Sequence, residues 1–284
     1  MYRLIIVGFV ILGMVRCSGS KKMTRKAAKL EAAGLYKDAS DFYYDGIKRN
    51  PKNIDAIIGL KSTGQKLLDD QLQNFYKAYS FEDYKQAVYT FMDAQDYFNK
   101  IKGVNIELDY PDYYLQYFNE AKNIYLGNRY DKGTDLIDQK DYEKAEVVFK
   151  EILGIEENYK DAKTLCKVAY VEPYYQQGQA DLSAERYRDA YYNFDGVVSV
   201  NKSYKDAFEL REECKNAAIF TIAFVPYKDE NSYKEISEKV SKAILSDLAK
   251  EGNPFVTVVD RQNTDKLIEE QKLTLMGVVD ESSA

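Results

Sequence analysis

The chain contains no histidine and no tryptophan among its 284 residues. Histidine is the side chain that most often serves as general base, proton shuttle or metal ligand near neutral pH. The sequence also contains no Gly-rich phosphate loop, no metal-ligand cluster and no nucleophile elbow. We therefore expect that the protein is not an enzyme, has no catalytic residues and takes no metal ion or other cofactor.

Cysteine is scarce, and three residues are too few for a framework of disulfide bonds. Cys166 and Cys214 lie inside helical patterns, which favours buried free thiols. An oxidising compartment would still allow the two to pair.

The chain lacks an excess of positive charge, with 40 Lys and Arg against 46 Asp and Glu and a net charge of −6. Because no basic stripe is obvious, it is a poor candidate for binding a phosphate backbone, and we expect no nucleic-acid partner. Adjacent acidic residues indicate solvated helix faces rather than metal sites. These pairs are Asp69/Asp70, Glu156/Glu157 and Glu212/Glu213.

An apolar run of twelve residues, from Leu4 to Val15, follows Arg3 at the start of the chain. It is too short to span a bilayer, which takes roughly 20 residues. It matches the apolar core of a secretory signal peptide, which we predict over residues 1–16. A signal peptide cut elsewhere, or an uncleaved membrane anchor, is the alternative.

Cys17 comes directly after this segment and is followed by Ser-Gly-Ser, which resembles a bacterial lipoprotein signal. Arg16 departs from that pattern, since a small residue is usual before the cysteine. The resemblance implies cleavage before Cys17, acyl chains on Cys17 and a lipidated tether over residues 17–23. The expected location is the periplasm, with the protein anchored to the outer membrane of a Gram-negative-type bacterium.

One pattern occurs four times between residues 24 and 218. In each copy a tyrosine is followed three residues later by alanine, and four residues after that by a second aromatic residue. These steps place the side chains on one helix face, where the small alanine admits a neighbouring helix and the rings fill the groove beside it. The copies are Tyr36/Ala39/Tyr43, Tyr84/Ala87/Phe91, Tyr142/Ala145/Phe149 and Tyr187/Ala190/Phe194.

The third and fourth copies agree further, at an offset of 45 residues. Gly133 and Gly178 each lie twelve residues before the alanine, on the expected preceding helix. Asn158 and Ser203 are the predicted N-caps of a following helix, because their side chains accept hydrogen bonds from the free N–H groups of a first turn.

Together with Pro51, these positions resemble the tetratricopeptide repeat, an antiparallel helix pair. The resemblance implies a mostly α fold, a tetratricopeptide-like helical-repeat solenoid over residues 24–218, whose concave surface binds protein segments. The copies are 48, 58 and 45 residues apart, whereas the family's repeat has about 34 residues. We therefore expect an additional helix or a long loop in each unit.

The pattern changes after residue 218. Residues 219–225 and 255–259 are short apolar runs of the kind that forms buried strands. Ser232 and Glu235 form a capping-box signature, which predicts a helix between the two apolar runs. Another helical stretch follows Asp260. This order predicts a small α/β (βαβα) unit with parallel strands.

Residues 219–284 resemble the curli-secretion-channel (CsgG) family. The matching segments are VVDR, LIEEQKL and GVVD, which carry the signature positions Arg261, Glu270, Gln271, Gly277 and Asp280. The family's later strands and pore-lining hairpins do not follow, so the resemblance implies a partial domain. We expect either a shortened form of a longer protein, or a unit that packs against the repeats or against another subunit, for example in a homo-oligomer.

The leading interpretation is an outer-membrane-anchored periplasmic lipoprotein that acts as a protein-binding scaffold or adaptor in envelope secretion or assembly, as in curli-type transport. Its partners would be other envelope proteins or peptides, with the membrane contacted through the N-terminal lipid. The alternatives are a lipoprotein activator of a cell-wall synthase and a secretion-channel subunit.

Overall fold

The computed structural model describes residues 19–223, 239–240, 243–244, 246–247 and 252–259. The predicted signal peptide, Cys17 and the predicted capping box of Ser232 and Glu235 lie outside the described residues. The same holds for the five signature positions Arg261, Glu270, Gln271, Gly277 and Asp280.

Helices dominate the described part of the chain, and the predicted mostly α fold is confirmed. The first helix, α1, covers residues 19–32. The others are α2 (Tyr36–Arg49), α3 (Ile54–Ser80), α4 (Tyr84–Lys102), α5 (Tyr114–Asp138), α6 (Tyr142–Ile155), α7 (Ala162–Ser183), α8 (Tyr187–Val200) and α9 (Ala207–Ala218), and the strands are β1 (Phe220–Ala223) and β2 (Val256–Val259).

Helices that are consecutive in the chain pack on one another. Such contacts join α2 with α3 and α3 with α4, and they join α6, α7, α8 and α9 in succession. The chain divides into two compact units, Met1–Lys132 and Gly133–Ala284, and the division falls within α5. No helix in the part that the structure describes has an apolar stretch long enough to cross a membrane.

The same turn precedes each of the four tyrosine-led helices. A residue with positive φ stands two positions before the tyrosine: Gly34 (77°), Glu82 (60°), Lys140 (60°) and Glu185 (59°). In all four turns the next N–H donates to the carbonyl five residues earlier, at 2.8–3.0 Å. This is the Schellman arrangement, which satisfies carbonyls at the end of one helix and reverses the chain into the next. The repetition seen in the sequence is therefore also a repetition of backbone geometry.

Long helices account for much of the wide spacing between copies. Helices α3, α5 and α7 have 27, 25 and 22 residues. Residues 103–113 connect α4 to α5 and contribute to the widest interval. The expectation of an additional helix or a long loop in each unit is met only by the loop of residues 103–113. Elsewhere in the described residues the extra length extends helices that belong to the pairs.

The predicted N-caps of α7 and α9 are also wrong. Asn158 and Ser203 lie in turns, and the N-cap residues are Asp161 and Asp206, whose side chains make no capping hydrogen bond. A residue with positive φ precedes each of these aspartates and delays the start of the helix. The offset of 45 residues is retained, since both turns are built in the same way.

The two strands are parallel, as predicted, with Phe220 opposite Val256. Phe255, just before β2, is only 2% exposed because it packs against α8. Its ring centroid lies 5.0 Å from that of Tyr191 and 5.7 Å from that of Tyr192. The Arg188 guanidinium lies over the rings of both Phe220 and Phe255. The described residues Phe220 and Phe255 thus pack against α8.

Candidate protein-binding surface

The repeat residues divide into buried and partly exposed positions. The alanines Ala39, Ala87, Ala145 and Ala190 are fully buried, and the aromatic residues Tyr43, Phe91, Phe149 and Phe194 are at most 4% exposed. The leading tyrosines Tyr84, Tyr142 and Tyr187 are half-buried. Tyr36 is exposed, with the Lys66 ammonium 4.6 Å from its ring centroid.

The two glycines lie against the aromatic residues of their own copies. A Cβ atom on Gly133 would stand 2.7 Å from Cζ of Phe149, and one on Gly178 would stand 2.8 Å from Cε1 of Phe194. The ring therefore occupies the space that a side chain would take, and glycine permits this close approach. In the second copy the equivalent position is Phe75, whose ring meets that of Phe91 edge-on at 4.9 Å.

Because Phe75 stands where the third and fourth copies have glycine, its ring is available to contact other aromatic residues of the first unit. Phe75 also makes an edge-to-face contact with Tyr114, with the ring centroids 5.9 Å apart. Further tyrosines on α3 and at the start of α5 continue from that contact. We call this group the tyrosine cluster; its members are Tyr76, Tyr79, Tyr113, Tyr114 and Tyr117.

The rings of the tyrosine cluster hold one another in place. Tyr117 is 5.2 Å from both Tyr76 and Tyr79, while Tyr76 and Tyr79 are one helical turn apart and stack at 6.1 Å. Tyr113 lies 4.4 Å from Tyr114. Such offset and edge-to-face pairs contribute about 0.5–1.5 kcal/mol each beyond the area that they bury. The cluster is thus ordered without being buried: Tyr76 is 42% and Tyr113 is 58% exposed.

Carboxylates accompany these rings. The Tyr79 hydroxyl donates to Oε2 of Glu120 at 2.7 Å, and this hydrogen bond is the main reason that the pKa of Tyr79 is raised to about 12. Hydrogen bonding with Tyr113, burial and the nearby charge of Asp69 raise the pKa of Tyr114 to about 12. The phenols of Tyr79 and Tyr114 therefore remain protonated at physiological pH, with the carboxylates of Glu120 and Asp69 close to them.

The tyrosine cluster was not predicted from the sequence. The sequence does contain two groups of tyrosines, each with helical spacing, around residues 76–79 and 113–117. Nothing in a single sequence indicates that two groups so far apart in the chain meet on one surface. The two groups meet where Phe75 packs against Tyr114.

A buried polar network occupies the second unit, between α7 and the turn before α9. Glu172 is only 9% exposed and accepts hydrogen bonds from Lys205 Nζ at 2.7 and 2.8 Å, from Gln176 at 3.1 Å and from the Tyr204 hydroxyl. The hydroxyl of Tyr175 donates to Asp206 at 2.5 Å. Because every charge in the network has a partner, the network fixes the turn against α7 rather than offering free groups for chemistry.

The described residues contain no group of three or more cysteine and acidic side chains placed to hold a metal ion. Cys166 is half-buried, Cys214 is buried, and both are free thiols in this structure.

No family model and no curated protein matches this chain. Among solved structures, the crystal structure of a thermophilic TPR protein from Thermus thermophilus is similar over 70% of this chain and 98% of that chain, with 18% sequence identity and a TM-score of 0.17. With so low a TM-score the likeness does not define the fold of this chain, which is given by the helices and turns described above.

Proposed function

We propose that this protein is a binding scaffold for other proteins and that the tyrosine cluster contacts the partner. The observation that carries the proposal is that two of these rings, Tyr76 and Tyr113, are exposed and yet held in place by neighbouring rings. Tyrosine offers a large apolar face and one hydrogen-bonding tip, which is why it is enriched where proteins meet. A surface whose side chains are ordered before binding loses less conformational entropy when the partner arrives.

The partner segment that fits best is cationic. Within the described part of the chain, no lysine or arginine lies over the rings of Tyr76, Tyr79 or Tyr113, whereas Lys66 covers Tyr36 in the same unit. Glu120 and Asp69 add negative charge beside the rings. A Lys or Arg side chain would meet both an aromatic face and a carboxylate, each of which attracts it.

For the cellular setting, we propose a periplasmic lipoprotein held at the outer membrane by acyl chains on Cys17, acting in envelope secretion or assembly. The support is the lipoprotein-like segment before Cys17 and the resemblance of residues 219–284 to the curli-secretion-channel family. Several acyl chains anchor a protein stably, whereas one chain alone binds weakly. The intact mass of the protein from its native host tests this part, because cleavage before Cys17 and each acyl chain change the mass by defined amounts.

In-cell photo-crosslinking tests the proposed binding surface. A photoreactive phenylalanine analogue would be incorporated at position 76, at position 113 and, as the matched control, at position 170. Tyr170 is 41% exposed, like Tyr76, but lies on α7, and its described ring contact is with Tyr174, which is not a member of the tyrosine cluster. We expect strong crosslinks to one envelope protein from positions 76 and 113 and weak crosslinks from position 170. Equal crosslinking at all three positions would contradict the tyrosine cluster as the site.

The identity of the crosslinked protein separates the functional alternatives. A secretion component supports the leading proposal, and a cell-wall synthase supports the activator. Once the partner is known, Tyr76→Ala with Tyr113→Ala should weaken its binding at least about tenfold, as expected for exposed aromatic anchors. Tyr170→Ala should leave the binding unchanged.

A further inference from the structure

Helix α1 has one face that packs on the rest of the first unit. Ser20, Thr24 and Ala27 are buried on this face. The Ser20 hydroxyl donates to the Gly46 carbonyl at 2.7 Å, and the Asn53 amide donates to the hydroxyls of Ser20 and Thr24 at 2.8 and 2.9 Å. The orientation of α1 is therefore fixed against α2 and the start of α3.

The opposite face of α1 is cationic. We call it the basic face, and it consists of Lys21, Lys22, Arg25, Lys26 and Lys29, all of them exposed. At about 100° per residue the five side chains cover roughly 140° of the helix circumference. Within the described residues none of the five forms an ion pair, and only Lys26 has an aromatic contact, 3.9 Å from the Phe42 ring centroid.

The basic face stands out in a chain whose net charge is −6. The expectation that the chain has no basic stripe is wrong here, because the total charge hides the local excess. The first acidic residue of α1 is Glu31, whose carboxylate accepts a hydrogen bond from Tyr43 on the packed side. Five cations thus face solvent together without a neutralising partner on their own helix.

We infer that the basic face docks on a membrane surface that carries anionic phosphate headgroups, and thereby sets the orientation of the scaffold on the membrane. Juxtamembrane clusters of Lys and Arg are attracted to anionic headgroups by about 1 kcal/mol for each residue, or about fivefold in affinity. The choice of a membrane as the partner rests on the proposed lipid attachment. Lys21 is only four residues after Cys17, so a chain anchored there keeps the first cation within about 14 Å of the lipid.

Vesicle binding by a chain without lipid tests the inference separately from the anchor. The protein would begin at residue 17 and carry Cys17→Ser, which retains every described residue and takes no acyl chain. Sedimentation with phosphatidylcholine vesicles would be compared with sedimentation with vesicles that also contain phosphatidylglycerol. We expect binding to the anionic vesicles alone, and its weakening as sodium chloride is raised.

A matched pair of charge variants assigns the binding to the basic face. The test variant carries Lys21→Gln, Lys22→Gln, Arg25→Gln and Lys29→Gln and leaves Lys26 on Phe42. Four losses of about fivefold each should reduce its affinity for anionic vesicles by roughly six-hundredfold. The control variant removes four lysines that are exposed elsewhere, so its net charge is the same. Its substitutions are Lys37→Gln, Lys61→Gln, Lys77→Gln and Lys85→Gln, and its affinity should fall by no more than about twofold.

Three results would overturn the inference. The first is equal binding to both kinds of vesicle, and the second is an equal loss of vesicle affinity in the two charge variants. The third is loss of vesicle binding when inorganic phosphate is added at matched ionic strength, which would indicate a discrete anion site. If the intact mass shows no acyl chain on Cys17 but binding to anionic vesicles persists, the lipoprotein proposal is wrong, while the inference that the basic face binds membranes is supported.

Discussion

The Cα atom of Gly178 lies so close to the Phe194 ring that a Cβ atom there would stand 2.8 Å from Cε1. The fully buried ring has little room to move in a close-packed interior. Gly178→Ala should therefore lower the free energy of unfolding by about 1–3 kcal/mol, as overpacking in a core does. Urea denaturation followed by circular dichroism measures this change.

Gly154 provides the matched control for that substitution. It lies in α6, and no atom outside its own helical surroundings approaches its Cβ position within 4 Å. Gly154→Ala should raise the free energy of unfolding by up to about 1 kcal/mol, because alanine is the better helix former. Similar effects at the two glycines would show that the ring contact does not limit the approach of the helices.

The positive φ angle of Glu185 predicts that glycine is the better residue in that turn. A left-handed conformation costs an L-residue about 1–2 kcal/mol, and glycine avoids this strain. Part of that gain is cancelled because glycine has more conformational freedom to lose when the chain folds. Glu185→Gly should therefore stabilise the protein by about 0.5–1 kcal/mol. Thermal and urea unfolding of the variant measure the gain.

The preceding residue supplies the control. Ala184 has a φ of −92°, so Ala184→Gly relieves no strain and should lower stability. Gly34→Ala, in the corresponding turn of the first copy, should also lower stability because the φ of Gly34 is +77°. A loss of stability in Glu185→Gly would mean that the side chain makes a favourable contribution larger than the strain.

The Glu172 carboxylate depends on Lys205 for its charge. Burial raises the pKa of Glu172, but hydrogen bonds from Lys205, Tyr204 and Gln176 outweigh it and hold the pKa below the ordinary value of 4.5. A depressed pKa stabilises the folded state above the unfolded-state pKa, and this contribution is lost as the pH falls through the folded-state value. The protein should lose it only below about pH 4.5.

Lys205→Met should reverse that dependence. With its cationic partner gone, burial dominates, the pKa of Glu172 rises above the ordinary value and the charged form becomes unfavourable in the folded state. We expect a loss of about 1–3 kcal/mol at pH 7 that shrinks toward pH 4, measured by urea unfolding at both pH values. Lys163→Met breaks the exposed pair with Glu157 and should cost at most about 1 kcal/mol at either pH.

The two described thiols should react slowly and in a fixed order. Burial is the largest cause that raises the pKa of both Cys166 and Cys214, and the thiolate is the reactive form. Alkylation of the native protein at neutral pH should therefore be slow, with Cys166 modified before the fully buried Cys214. Mass spectrometry of peptides from timed samples measures the order, with urea-unfolded protein as the control. Modification of Cys214 first would contradict its burial.

Local patterns predicted the helices well. Each of the four leading tyrosines is the first residue of a helix, and each alanine of the pattern is fully buried. Both results depend on side chains a few residues apart, whose relative positions the helical period fixes. The sequence could not show that α3 and α5 run on for more than twenty residues, because each contains glycines, such as Gly64 and Gly133, of the kind that often ends a helix but here lies within one.

The predicted N-caps failed for a different reason. Asn158 and Ser203 have suitable side chains, but the positive φ angles of Lys160 and Lys205 place both residues in a turn. The tyrosine cluster escaped prediction because it joins side chains that are distant in the chain. Periodicity reports which face of a helix is buried, and only the packed structure shows what covers it.

The hydrogen bond from Ser20 to the Gly46 carbonyl has a mechanical consequence. Ser20 is only three residues after Cys17, so a load applied at Cys17 has little chain to extend before it reaches this first contact between helices. A pull applied near Cys17 would load the Ser20 and Asn53 bonds at once and stretch them before any of the later helices separated. Wherever its N-terminal end is held, the protein would bear tension first at the junction of α1 and α2.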